Sequence, residues 1–202
     1  MSLRVRSATI ARMSLTERAN GIEVVFETHS MTEDNERGIA SGWRDTGLSS
    51  RGRQLARDLG ERRRTDGIAA VFTSDLGRAV ETAAIAFAGS GIPVRSDARL
   101  RECDYGTLSG RPTKDLTPRS RWIESPFPGG ESYRDVVARV GDFLRDLGGF
   151  QGQRVLVVGH SATLWALAHL LEGEPLESLV DAPFIWQPGW AFRVPISRGG
   201  AP

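Results

Sequence analysis

Three short, largely apolar runs, Ile22 to Phe26, Ile68 to Phe72 and Val155 to Val158, constrain most strongly what this chain can fold into. Each is too brief for a helix and suits a parallel strand buried on both faces. Helix-like stretches lie between them. Ser49 to about Arg64 carries Leu48, Leu55 and Leu59 on one stripe with arginines elsewhere, and Leu76 to Phe87 is rich in alanine. Glu131 to Leu147 sets Val136, Val137, Val140, Phe143, Leu144 and Leu147 on a stripe opposite Arg134, Arg139, Asp142 and Arg145. Leu164 to Leu171 predicts a mostly buried helix, Ile92 to Val94 a further short strand, and Trp190 to Val194 an edge strand. Residues 103–130 show no period and read as an irregular excursion over the sheet. Strands alternating with helices build right-handed βαβ units, so the expected fold is α/β, a three-layer α/β/α sandwich around a mostly parallel central sheet.

Residues 1–20, with Arg4, Arg6, Arg12 and Arg18 among short apolar stretches, lack the continuous apolar core of a secretory signal and read as a loose leader. Met13 heads a second MSL and offers an alternative start to Met1, while residues 21–202 read as one domain. With 26 basic and 25 acidic residues the formal charge is +1, which argues against a dedicated nucleic-acid binder. No run approaches the roughly 18 apolar residues of a membrane span. Cys103, the single cysteine, cannot form an internal disulfide and suits a reducing cytoplasm, the expected location. Nothing in the chain marks an oligomeric state.

In an open α/β sheet, ligands bind beyond the carboxyl ends of the strands. Three strands end in polar chemistry: ETHSMTEDN after the first, TSDLGRAVET after the second, and GHSAT after the strand at Val155. His29 and His160 therefore sit at strand ends that a parallel sheet brings together. A lone histidine is ordinarily structural, and His169, inside the apolar last helix, keeps that reading as a core or interface residue. Two at equivalent strand ends, with Arg78 after a third, weaken it. Arg78 alone would be a solvated arginine in a helix's first turn, beside amides that favour anions. Glu102, in LRECDYG, opens the excursion, where a carboxyl can hang over a pocket. No HExxH or cysteine–histidine spacing accompanies the histidines, so neither metal nor cofactor is expected. Two imidazoles, a guanidinium, helix-end amides and one carboxyl suit a phosphate ester: histidine attacks phosphorus, cations stabilise the equatorial oxygens, and the carboxyl protonates the leaving oxygen.

Taken in order, these motifs resemble the histidine phosphatase superfamily, also called phosphoglycerate-mutase-like. THSMTEDN at 28–35 is similar to the family's RHGETxxN, GWRDTGLSSRG at 42–52 to the segment after it, and SDLGRAVETA at 74–83 to SxLxRAxQTA. LRECDYGTLSG resembles LxExxxGxxxG, PGGES at 128–132 the GGES helix start, and VLVVGHS at 155–161 the second-histidine strand. The similarity spans about residues 21–172. It implies a nucleophile at His29, phosphoryl binding by His160 and Arg78, and a proton donor at Glu102. Asn35, Thr28, Ser30 and Ser161 become substrate-binding candidates, and no metal or cofactor is implied.

Two positions depart from the family pattern: Thr28 stands for the arginine before the nucleophile, and Ser30 for the glycine after it. A charge-assisted hydrogen bond contributes about 1.5–3 kcal/mol, so the expected loss with that arginine is roughly ten- to a few-hundredfold in rate or affinity. Arg37, Arg44, Arg99 and Arg101 are candidates to reach into the gap. The residues and the resemblance together favour metal-independent hydrolysis of a small phosphorylated metabolite through phosphohistidine. Phosphatase is favoured over mutase because the family's cofactor-dependent mutases are longer. The alternatives are a catalytically degenerate member that binds an anionic metabolite or a protein partner, and non-hydrolytic chemistry in the same pocket.

Overall fold

The structure is a computed structural model and describes residues 21–195; the expected leader, with Met1 and Met13, and residues 196–202 lie outside the described part. The elements, in chain order, are β1 (Gly21–Thr28), α1 (Glu33–Glu36), β2 (Ile39–Ala40), α2 (Ser50–Arg63), β3 (Ile68–Thr73), α3 (Gly77–Phe87) and β4 (Val94–Ser96), then β5 (Arg111–Pro112), α4 (Tyr133–Arg145), β6 (Arg154–Gly159), α5 (Ser161–Glu172), α6 (Leu176–Val180) and β7 (Trp190–Pro195). Five strands form one sheet in the order β4-β3-β6-β1-β7. All neighbours run parallel except β7, which lies antiparallel to β1 at the edge. The architecture is α/β around a mostly parallel central sheet.

Alternation along the strands builds a core on each face of the sheet. Val24, Phe26, Val155 and Val157 face the larger core, with Val136, Val140 and Phe143 of α4 and Leu167 of α5. Val25, Leu156 and Val158 face the smaller, with Leu59 of α2 and Ala79, Ala83 and Ala86 of α3. The continuous apolar runs read from sequence are strands covered on both sides. Among the described residues no helix is long and apolar enough to cross a membrane.

Three boundaries differ from the sequence reading. The strand expected at Ile92 to Val94 forms instead at Val94–Ser96. Pro93 has no N–H to give, but its carbonyl accepts from Val71 N at 2.9 Å and starts the ladder beside β3. α4 begins two residues later than Glu131: Ser132 is the N-cap and forms a capping box with Asp135. The excursion at 103–130 is less irregular than expected, because β5 pairs with β2, one single-turn helix precedes it and two follow. Phe127 anchors it, packed against Tyr105, Trp122 and Tyr133.

Register explains how the histidines come together. Thr28 at the end of β1 pairs with Gly159 at the end of β6, so the next residue of each strand, His29 and His160, leaves the sheet side by side. The chain beyond β1 is then gripped by α2. Ser49 N donates to Met31 O at 3.0 Å, and a Cβ on Gly52 would meet that same carbonyl at 1.9 Å. Only glycine lets the first turn of α2 approach so closely.

Candidate active site

The imidazoles of His29 and His160 lie 5.0 Å apart between ring centroids, tilted by 52°. His29 Nδ1 lies 2.7 Å from the Ser30 carbonyl, an acceptor, so Nδ1 carries the proton and Nε2 keeps its lone pair. Burial, and then the nearby Arg78 charge, push the His29 pKa down to about 3 against the opposing pull of the Ser30 carbonyl. His160 is 1% exposed, and burial followed by the charge of Arg78 holds it well below the usual histidine range. Both rings are neutral at ordinary pH. His160 Nε2 meets Ser74 Oγ at 2.9 Å, whereas its Nδ1 is buried with no hydrogen-bonding partner in the protein.

Arg78, in the first turn of α3, is 2% exposed and is aimed by two carbonyls that accept from it, Gly42 at 2.8 Å and Arg44 at 3.2 Å. Glu102 Oε1 accepts from Cys103 N at 2.9 Å and from Ala162 N at 3.2 Å, the latter in the first turn of α5. Burial raises the Glu102 pKa; these amides, Arg78 and Arg139 oppose it. A cavity of about 270 Å³ is lined by His29, Arg78, Glu102, Asn35 and Ser161, and also by Tyr105, Trp165 and Arg119. The sequence candidates His29, Arg78, Glu102, Asn35 and Ser161 thus share one cavity. Among the described residues no three histidine, cysteine or acidic side chains gather as a metal-binding group.

Residues 24–186 match the family described as the histidine phosphatase superfamily, branch 1. The chain belongs to the histidine phosphatase superfamily. Among its relatives is a protein named 2,3-bisphosphoglycerate-dependent phosphoglycerate mutase from Methylobacterium sp. (strain 4-46), 37% identical over 175 residues that cover 77% of this chain and 83% of that one. Solved structures with the same architecture include Bacillus stearothermophilus YhfR, with a TM-score of 0.76, 28% identity and coverage of 90% of this chain and 98% of that one. A mycobacterial glucosyl-3-phosphoglycerate phosphatase in complex with VO3 gives a TM-score of 0.70 and 28% identity, covering 82% of this chain and 86% of that one. A match over 83% of a protein named a mutase removes the length argument for phosphatase, because chain length does not set this family member apart from one so named.

Within this histidine phosphatase superfamily member, the two departures lie on a second cavity. It measures about 520 Å³ and includes Thr28, Ser30 and His160, while sharing His29, Asn35, Ser161 and Phe184 with the first. None of the four arginines expected to reach into the Thr28 gap lines either cavity. Arg37 pairs with Asp34, Arg99 with Asp97 and Asp146, and Arg101 with Asp75, while Arg44 packs on Gly110. The arginines on the Thr28 side are Arg51 and Arg62, both from α2. Ser30 is tied by its backbone: its N–H donates to Thr82 Oγ1 at 2.9 Å, and Thr82 Oγ1 donates to Arg78 O at 2.7 Å. Asn35 is the capping-box partner of Thr32, its Oδ1 accepting from Thr32 N at 3.0 Å. His169 is half-buried rather than core, and its Nδ1 meets the Glu174 carbonyl at 2.8 Å beyond the end of α5. Ser74 and Thr82 stand inside SDLGRAVETA, where the sequence pattern assigns them no role. Their hydroxyls hold His160 and the backbone after His29, a task that residue type alone does not announce.

Proposed function

We propose that this protein is a phosphatase that hydrolyses small phosphomonoesters through a phosphohistidine on His29, without a metal. The observation that carries the reading is the buried, unpartnered Nδ1 of His160 beside the His29 ring, which itself lines a cavity with Arg78 and Glu102. A buried donor without a partner costs about 1–3 kcal/mol, and a phosphoryl oxygen at this spot satisfies it. Ser74 can donate its hydroxyl proton to His160 Nε2, which places the imidazole proton on Nδ1.

His29 Nε2 attacks phosphorus while Arg78 and His160 Nδ1–H stabilise the equatorial oxygens. Glu102, whose hold on its proton is strengthened by burial, gives that proton to the leaving alcohol. The resulting carboxylate then takes a proton from the water that attacks the phosphohistidine, releasing phosphate and restoring both groups. Hydrolysis is favoured over a mutase cycle by charge. The smaller cavity has two guanidinium groups, Arg78 and Arg119, against the Asp181 carboxylate and Glu102, which carries no charge while it holds the proton it donates. A bisphosphorylated intermediate needs a stronger cationic excess than this lining supplies.

The test follows inorganic phosphate release from 4-nitrophenyl phosphate, sugar phosphates and 3-phosphoglycerate, with and without 2,3-bisphosphoglycerate, using His29→Ala as blank. Phosphate release that survives a chelator, is suppressed by vanadate and is absent from the blank supports the proposal. Isomerisation of 3-phosphoglycerate faster than phosphate release makes the protein a mutase instead. Thr28 favours the second reading, a non-catalytic binder, which predicts anion binding with no His29-dependent turnover of any ester.

A further inference from the structure

The cavity beside Thr28 shares His29 and His160 with the reaction just described, but the rest of its lining has no part in it. It is about 520 Å³ against about 270 Å³ for the cavity that holds Glu102, and the two share His29, Asn35, Ser161 and Phe184. Neither Arg78 nor Glu102 lines the larger one. A leaving alcohol protonated by Glu102 therefore belongs in the smaller cavity, and whatever fills the larger one reaches the same phosphorus from another of its oxygens. A phosphomonoester has nothing on those oxygens.

Charge leads to the same place. A monoester dianion presents one more negative charge than a diester monoanion, and the resemblance to the family puts an arginine where this chain has neutral Thr28. Removing one guanidinium and opening space directly before the nucleophile, with Arg51 and Arg62 left on the α2 wall, matches a phosphoryl group with one charge fewer and one substituent more. The lining describes that substituent. Met31, Leu55, Leu59 and Trp186 supply apolar and aromatic surface. Arg62 lies 5.9 Å over the Trp186 ring, only 3.5 Å from Glu27 Oε2 at its closest, with a buried Nε that has no partner.

We propose that this site also hydrolyses phosphodiesters, with the leaving alcohol in the Glu102 cavity and the retained ester group, apolar or aromatic and ending in an oxygen acceptor, in the Thr28 cavity. The inference rests on the roles proposed above for His29 and Glu102. His29 Nε2 forms a bond to phosphorus as the bond to the leaving oxygen breaks, and the Glu102 proton goes to that oxygen. Water then attacks phosphorus, the N–P bond breaks, and the water proton returns to Glu102. One diester and one water yield one alcohol and the phosphomonoester of the retained group, with no change of oxidation state.

Bis(4-nitrophenyl) phosphate and 4-nitrophenyl phosphate, assayed side by side on the full chain, test the proposal. Turnover of both is expected, and both are lost in His29→Ala. Thr28→Arg, which restores the charge and fills the opening, is expected to lower the diester-to-monoester ratio of kcat/KM by about tenfold or more. Leu55→Trp, on a half-buried position of α2, lowers the same ratio from the far wall and serves if Thr28→Arg folds poorly. Monoester turnover that needs His29, without His29-dependent diester turnover, overturns the inference and leaves the phosphatase reading standing. A ratio unmoved by either variant overturns it too, since the retained group then sits elsewhere. No His29-dependent turnover of either ester removes the phosphatase reading itself.

Discussion

Glu102 has to hold a proton to act as an acid, and the same burial that raises its pKa hides it from bulk water. An alkyl phosphate, whose alkoxide leaves only with a proton, should depend on it far more than an aryl phosphate. Glu102→Gln is expected to slow an alkyl ester by about 10²–10⁴ and 4-nitrophenyl phosphate by much less; equal slowing of both removes the assignment. The pH profile has a matching sign. Protonated Glu102 is lost as pH rises through its elevated pKa, so the alkyl-ester rate of the wild type falls on the alkaline side. His29, neutral at any pH above about 3, adds no acid limb in the ordinary range. At this scale the sequence was readable where a residue's own chemistry marks it just after a strand, as with His29 and His160, or in the helix turn that follows one, as with Arg78. It was unreadable where a residue serves by holding another, as Ser74 and Thr82 do, because a hydroxyl inside a motif looks the same whether it packs, caps or orients.

Elements present these groups through a few charged ties that bridge them. Glu131, just before α4, and Arg139 within it form a two-pronged pair at 2.9 and 3.0 Å. Arg139 also donates to the carbonyls of Arg99 at 2.6 Å and Glu102 at 3.0 Å, while Glu131 accepts from Asp104 N at 3.0 Å. The backbone on either side of Glu102 is thereby fixed to α4. From sequence, Arg139 belonged to the stripe opposite the apolar face, and periodicity has no way to separate a solvated arginine from one that turns back to hold a loop. Arg139→Met should cost about 1–3 kcal/mol in urea unfolding. As a positioning residue it should also lower kcat on alkyl esters more than on aryl esters, with little change in KM; a stability loss alone would make its role structural. A second tie joins Glu27 to Arg63 at 2.7 Å, both nearly fully buried, and Arg63 donates onward to the Pro188 carbonyl at 2.9 Å. It links the end of β1, the end of α2 and the segment carrying Phe184 and Trp186. Arg63→Met leaves the Glu27 carboxyl facing only the looser Arg62 contact and is expected to cost about 3–5 kcal/mol. Adding Glu27→Gln should recover much of that loss, and no recovery would mean that packing by Arg63, rather than its charge, stabilises this junction.

For the molecule as a whole, the parallel order of the sheet was legible because buried strands are continuous apolar runs and because strand–helix alternation leaves few topologies. The Thr28 cavity was not legible. Its far wall comes from Leu55, Leu59 and Arg62 of α2 and from Trp186 beyond α6, residues that no spacing in the sequence connects to His29. Bringing two neutral histidines and an acid of raised pKa into one buried place also gives the whole fold a pH dependence. An unfolded histidine takes up a proton below about pH 6.5, whereas folded His29 does so only near 3 and folded His160 lies well below its usual range. Between those values the unfolded chain binds more protons, so the histidines' contribution is complete above pH 6.5 and is lost as pH falls toward 3. Glu102 acts with the opposite sign: its folded pKa is raised, the folded state holds the extra proton, and stability from this group grows as pH falls through that elevated value. The urea midpoint of the wild type should therefore drop between pH 7 and pH 4.5, by something on the order of 1 kcal/mol of stability per pH unit for each fully neutral histidine. His29→Asn and His160→Asn should each flatten the decline and the double variant most of all, while Glu102→Gln should steepen it. Equal slopes in the wild type and the double histidine variant would show that both imidazoles gain protons as readily in the folded protein as in the unfolded chain. The neutral nucleophile on which the phosphohistidine chemistry depends would then be absent below about pH 6.5.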